Sequence, residues 1–299
     1  MSPDWQASIG LGATLVVTPL LAWVSLKTGW LTDSKVAGQE WRKPRSQAVA
    51  LVGGGAVLIG LLLSGYELPW AALLAAFLVG TWDDLRPLPA GSKLIGQTIA
   101  GALLAFELGS GTWEFPLVVF AAVVAQNAMN TWDHADGLCA GLMGAALPPV
   151  LAGPFLGFLP WNLLLMRKER GDPGSGVPWA YLGDAGSHLC GILMVWYEPA
   201  RPFLILPLLD LARVVWLRMR AGEPFWVGDR RHLGHRLLDV GHVPKLAALL
   251  ALAPCLPLLA VDRLGIKLAS LACLGLLAAL LWNAPPETRP PAESGLDEI

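Results

Sequence analysis

Charge is what this chain of 299 residues has least of: Asp, Glu, Lys and Arg make up 15% of it, where a soluble domain carries roughly 25%. Histidine occurs five times, and a net charge of -2 leaves no basic footprint for a nucleic acid, so that class of partner is excluded. The four cysteines, Cys139, Cys190, Cys255 and Cys273, stand inside apolar stretches without paired metal-ligand spacing and read as small buried hydrophobes. No basic segment precedes the first apolar run, which opens after Asp4, so a cleaved signal peptide is not expected. A phosphate-binding loop is missing too. Gly53, Gly54 and Gly55 match neither a P-loop nor a dinucleotide fingerprint, and close helix packing is the default for glycines in an apolar run.

What the chain does have is apolar length. Its residues are 55% hydrophobic with a mean hydropathy of +0.54, which places it in lipid. A spanning helix needs about 20 mostly apolar residues. On that rule spans fall near 6–26, 48–64, 69–82, 94–111 and 114–131, then 186–200, 202–217, 243–261 and 265–283. The stretch 138–166, broken by Pro148, Pro149, Pro154 and Pro160, reads as two short or re-entrant segments, since such prolines are tolerated when buried in protein. The fold class expected is therefore all-α: a polytopic membrane protein of about 10–11 transmembrane helices, one domain over residues 1–284. The Pro-rich polar tail 285–299 is expected to be disordered and cytoplasmic.

Orientation follows from the basic residues. Lys27, Lys35, Arg42, Lys43 and Arg45 fill the first loop, Arg86 and Lys93 the third, and Arg218, Arg220, Arg230, Arg231 and Arg236 the last large one. The intervening turns hold mainly Glu67, Glu107, Glu114 and Glu198, so odd-numbered loops face the cytoplasm and the N-terminus lies outside. The polar clusters all fall on the basic side: TWDDLRPLPAGSK, NAMNTWDHADGLCAG, YLGDAGS and DRRHLGHRLLDVG. Four separated segments are thus expected to meet at one membrane face, within reach of a soluble anion and a lipid headgroup together.

Asp83 and Asp84 close a helix, where the last carbonyls disfavour carboxylates, so the pair asks for a cation; a solvated loop start is the plainer alternative. Hard oxygen ligands beside a phosphate suit Mg2+. Asp133 and Asp136, spaced i and i+3, share a face with Asn130 if the helix continues; a capping role for Asn130 or Asp136 stays open. Asp184 and Ser187 open a helix, where aspartate serves as N-cap, metal ligand or both. His232 and His235, in an HxxH spacing flanked by arginines, read either as a basic interfacial loop or as a diphosphate clamp with Arg231. No cysteine or third histidine is local in sequence, which argues against zinc there. Lys93 either snorkels or serves the acids before it.

Taken in order, these segments resemble the polyprenyl-phosphate N-acetylhexosamine-1-phosphate transferase family. DD followed by Lys93, NAMNTWDHADGL against N-A-x-N-x-x-D-G-x-D-G-L, GDAGS against G-D-x-G-S, PLLD ending at Asp210, and DRRHLGHRLL against D-R-R-H-L-H-H-R-L-L carry the resemblance over most of the chain. It implies transfer of a sugar 1-phosphate, GlcNAc-1-phosphate foremost, from a UDP-sugar to polyprenyl phosphate, with release of UMP. Mg2+, or Mn2+ in its place, is the implied cofactor, and an inner-membrane location with a cytoplasmic site, with or without homodimerisation, the implied setting. By the same resemblance Asp184 and Asp83 hold the metal, Asp83 lies by the lipid phosphate as base or nucleophile, and Asp84 supports metal or phosphate. Asn127, Asn130, Asp133 and Asp136 border the nucleotide and diphosphate, and Lys93, Ser187, Arg231, His232 and His235 contact phosphates or sugar. The chain departs from the pattern at His134, where glycine is usual, and at Gly234, where histidine is usual. The segment between Gly141 and Asp184 is short, and the first loop reads QAVALVGGG without the usual threonine-proline pattern.

Two other classes compete. An intramembrane aspartyl protease needs two carboxylates facing each other within the bilayer, whereas these acids cluster at its edge. A transporter or an inactive lipid-binding or nucleotide-binding paralogue would keep the pocket and lose turnover.

Overall fold

The structure, a computed structural model, describes residues 1–33, 47–169, 172–224 and 231–233. It opens on α1 (Pro3–Thr28), where the Ser2 hydroxyl accepts from Trp5 N and Pro3 fills a first-turn position that needs no donor. Helices α2 (Gly53–Ser64), α3 (Trp70–Leu85), α4 (Ala90–Glu107) and α5 (Glu114–Trp132) follow. Then come α6 (Leu138–Ala146), α7 (Pro149–Leu159), a π-helical turn over Pro160–Leu164, α8 (Gly183–Trp196) and α9 (Ile205–Arg220).

Large apolar side chains cover the outside of the bundle as well as filling its core. Helix α1 buries Gly10, Thr14, Thr18, Ala22 and Ser25 and exposes Trp5, Val16, Leu20 and Trp23. Phe106 and Phe120 are 79% and 69% exposed on α4 and α5. Small residues at helix contacts and large apolar ones outside are the arrangement that lipid favours, because packing and interhelical hydrogen bonds, not water exclusion, hold such helices together. Thr14 illustrates it: its hydroxyl donates to Gly10 O in its own helix, at 3.0 Å, and lies 3.3 Å from Ala56 O in α2. Helix α7 runs parallel to α1. Gly153 meets Ala7 and Leu11, Gly157 meets Leu11 and Leu15, and the Trp161 indole donates to Leu15 O.

Helix α8 is the centre of the bundle. From Ala185 to Val195 it is buried on every side, with α2, α3, α4 and α5 around it. At the far end of the bundle, Glu107 at the close of α4 accepts from Ala71 N and Ala72 N at the start of α3, a cap supplied across helices.

One expectation is refined. The described residues are mostly helical but not all-α: β1 (Thr32–Asp33) pairs antiparallel with β2 (Val49–Ala50), and β3 (Met166–Glu169) with β4 (Asp172–Pro178). The second hairpin falls on RKERGDPGSGVP, too polar for a span and too rich in glycine and proline for a helix. Ala50 also bridges to Ala180, tying the hairpins together just below the start of α8. The doubtful stretch does form two short helices, α6 and α7, divided where Leu147 and Pro148 turn extended. Nine α-helices lie among the described residues. Pro3–Thr28 and Glu114–Trp132 are long and apolar enough to cross a membrane by themselves, and Gly53–Ser64 and Pro149–Leu164 are apolar but shorter. The spans expected at 243–261 and 265–283, and the tail 285–299, lie outside the described residues.

Candidate active site

Three helix ends converge: the C-termini of α3 and α5 and the N-terminus of α8. Helix α8 begins on Gly183, whose φ of 74° lies in the left-handed region that glycine enters without penalty. Its opening amides are claimed by acids from the other two helices. Asp84 Oδ1 accepts from Asp184 N at 2.9 Å, Asp84 Oδ2 accepts from Ala185 N at 3.0 Å, and Asp133 accepts from Gly183 N. Asp84, expected to support metal or phosphate, therefore has both oxygens committed to backbone.

That cap aims Asp184 sideways into a cluster. Its Oδ2 lies 2.5 Å from Lys93 Nζ, and its Oδ1 accepts from the Asn130 amide at 2.6 Å. Lys93 is bound equally to Asp83 Oδ2, at 2.6 Å, while Asp83 Oδ1 takes the Leu88 N–H at 2.6 Å and pins the turn between α3 and α4. Asn130 also donates to Ser187 Oγ at 3.1 Å. One ammonium thus sits between two carboxylates brought from positions 83 and 184. Such a pair asks for positive charge, and its hard oxygen donors are the type that Mg2+ takes, so the residues present fit that ion.

Asp133 and Asp136 were expected to continue the face of Asn130. Instead α5 stops at Trp132, and residues 133–137 form a turn closed by Gly137 at φ 79°. The reason is Gly137, whose amide donates to the buried Asn162 side chain at 2.7 Å instead of extending the helix. Burial, with Asp184, Asp84 and Asp136 close by, raises the Asp133 pKa well above the ordinary carboxylate value. Asp136 is buried in the same turn.

Asn127 turns away from the cluster. Its amide donates to Gln97 Oε1 at 2.8 Å, and Gln97 Nε2 lies 3.2 Å from His188 Nε2, a buried polar chain that locks α4 and α5 onto α8. His232 is held by Asp210, Nδ1 to Oδ2 at 3.1 Å, and its ring stacks on His134 at 5.0 Å between centroids. It meets those two residues and not Asp184. Burial, then the neighbouring His232, lowers the His134 pKa to about 4, so its ring stays neutral near pH 7. Arg231 pairs with Glu223, and its carbonyl accepts from Arg213 Nη1 at 2.7 Å. His235 lies outside the described residues.

Sequence reasoning passed over Gln97, His188 and Asn162, single polar residues in apolar runs without a motif around them. It also passed over Gly80. A β-carbon there would stand 2.4 Å from the Asp184 carbonyl and the Ala185 amide, so only glycine lets α3 approach the head of α8. The signal was its position one turn before Asp83 and Asp84.

Fold and site define a class: a helical bundle with a lipid-type exterior and, at one end, acids from distant segments gathered on a single cation. The particular kinship is set by comparison with known proteins. Residues 68–148, which carry Asp83, Asp84, Lys93 and the turn at 133–137, match the family described as glycosyl transferase family 4. The chain is 28% identical to the decaprenyl-phosphate N-acetylglucosaminephosphotransferase of Mycolicibacterium smegmatis, over 82% of this chain and 78% of that protein. Against the Mycobacterium tuberculosis protein of the same name it is 31% identical over 55% of this chain, spanning 54% of the relative. It is 25% identical to the undecaprenyl-phosphate alpha-N-acetylglucosaminyl 1-phosphate transferase of Escherichia coli K12, over 70% of this chain and 71% of that protein. The resemblance read from the motifs is therefore a kinship: this chain is a relative of the polyprenyl-phosphate sugar-1-phosphate transferases.

Proposed function

We propose that this protein moves a HexNAc-1-phosphate, GlcNAc-1-phosphate foremost, from a UDP-sugar to polyprenyl phosphate and so begins a cell-envelope glycan. The protein is a sugar-1-phosphate transferase. An oxygen of polyprenyl phosphate attacks the sugar-linked phosphorus of the donor, the bond between the two phosphorus atoms' bridging oxygen and that phosphorus breaks, and UMP leaves. The chain is a multi-pass inner-membrane bundle of about 10–11 helices, with the Asp184 end facing the cytoplasm.

The observation that supports this reading best is the meeting of Asp83, Lys93, Asn130, Ser187 and Asp184 at one point. Asp184 and Asp83 would hold Mg2+, or Mn2+ in its place, which when bound supplies neutralisation of the diphosphate charge. Asp84 and Asp133 take the α8 amides and keep Asp184 aimed at the cluster. Lys93 holds the two carboxylates together and offers its ammonium to a phosphoryl oxygen once a substrate displaces one of them. Asn130 fixes the second Asp184 oxygen, so that carboxylate presents one orientation. Asp83, free to exchange Lys93 for the acceptor lipid, is the base or nucleophile. Asp136 borders the nucleotide side, Asn127 acts there only through its hold on Gln97, and Arg231, His232 and His235 border the diphosphate side.

The test is the purified protein with Mg2+, undecaprenyl phosphate and a panel of radiolabelled UDP-sugars. Labelled polyprenyl-diphosphate-sugar and UMP are expected, with turnover lost in Asp184→Asn. Folded protein that yields no lipid-linked product from any donor of the panel refutes the reading.

A further inference from the structure

One cluster lies apart from the Asp83–Asp184 acids, although its His232 is among the residues assigned above to the diphosphate side. His134 lies in the turn after α5, Asp210 on α9, and His232 in the segment 231–233. One ligand atom from each lies within 4.8 Å of the others. We propose that His134, Asp210 and His232 bind a transition-metal ion of the zinc type, at a site that shares no residue with the Asp83–Asp184 cluster.

The donor set decides the class of ion. Two imidazoles and one carboxylate suit Zn2+, Co2+ or Ni2+, whereas Mg2+ keeps to oxygen. Catalytic and structural zinc sites alike use such donors at about 2.0–2.2 Å, which puts neighbouring ligand atoms roughly 3.3 Å apart. The His232 Nδ1 to Asp210 Oδ2 edge, at 3.1 Å, already has that length. With the three ligand atoms within 4.8 Å of one another, His134 closes the third corner by a shift of up to about 1.5 Å.

The surroundings are those of a supported site. Ligand histidines usually give their other ring nitrogen to a carbonyl or carboxylate, and ligand carboxylates are themselves hydrogen-bonded. His134 Nδ1 lies on the Thr131 carbonyl, an acceptor only, so the proton is on Nδ1 and Nε2 carries the lone pair. Asp210 Oδ1 takes the Leu233 amide at 3.0 Å, leaving Oδ2 on the histidine side. Asp210 and His232 are 5% and 7% exposed, so an ion there is shielded from bulk water. The two histidines are far apart in sequence, which is why the HxxH pair alone gave no zinc reading. His134 supplies the missing ligand at a position where the resembling family carries glycine. Binding would fasten the segment 231–233 to the end of α5 and to α9.

The test uses the full chain, purified without a polyhistidine tag, stripped with a chelator and dialysed against Co2+. One Co2+ per protein is expected, with the intense visible absorption of four- or five-coordinate cobalt, displaced by equimolar Zn2+ and not by a large excess of Mg2+. His134→Gly should weaken binding at least about 100-fold and abolish the absorption, and His134→Gln, which keeps a polar side chain in the turn, should do the same. Asp184→Asn should leave both unchanged. Absorption that survives both His134 variants, that disappears in Asp184→Asn, or that never forms overturns the proposal. None of these readouts depends on turnover, so the outcome is separate from that of the transferase assay.

Discussion

Replacing Asp84 by asparagine separates a residue that takes part in chemistry from one that holds the machinery in place. Asp84 gives two oxygens to two α8 amides at 2.9 and 3.0 Å. Asparagine returns one acceptor and turns an NH2 group toward the other amide, so one hydrogen bond is lost and a donor faces a donor. Loss of that bond, with a buried donor left unpaired, costs roughly 1–3 kcal/mol. In a protein of this size that lowers the unfolding midpoint by several degrees, readable in detergent through the fluorescence of the 14 tryptophans. Turnover should fall with it, because the head of α8 carries Asp184. Asp84→Asn that unfolds at the wild-type temperature yet has no activity refutes the capping argument and returns Asp84 to direct contact with substrate.

Lys93→Ala leaves Asp83 and Asp184 without the cation they share; Mn2+ binding in the absence of substrate, followed by electron paramagnetic resonance, should tighten by about tenfold or more while turnover falls. Weaker Mn2+ binding would contradict this. Gly80→Ala places a β-carbon 2.4 Å from backbone of Asp184 and Ala185; it should destabilise by about 1–3 kcal/mol or more and cost activity, and a neutral result in both assays would show that α3 and α8 are not in close contact. Asn162→Ala strips partners from Gly137 N and Ala180 O; the expected loss is about 2–4 kcal/mol, and an unchanged thermal midpoint would count against the tether.

The acids and the lysine were legible because each violates its surroundings: a carboxylate at the end of an apolar run has few inexpensive explanations. Asp83, Asn130 and Asp184 were found that way, and the structure brings the two carboxylates to one ammonium and Asn130 onto Asp184. The division of labour between Asp83 and Asp84 was not legible. Adjacent residues of identical chemistry differ only in where a helix end points them, one into the cluster and one onto the amides of α8. Nor did the i, i+3 spacing of Asp133 and Asp136 reveal that the helix stops first, because the stop depends on Asn162, more than twenty positions downstream.

Composition and motif order, then, determined by themselves that the chain is helical, apolar outside and kin to enzymes that handle lipid phosphates, since those properties reside in residue types and their succession. Tertiary structure alone decided which acid caps and which faces the cation, that Asn127 supports Gln97, and that His134 lies against His232. Hydrogen-bond geometry is set over distances of about 3 Å between residues far apart along the chain, and no local pattern records that proximity.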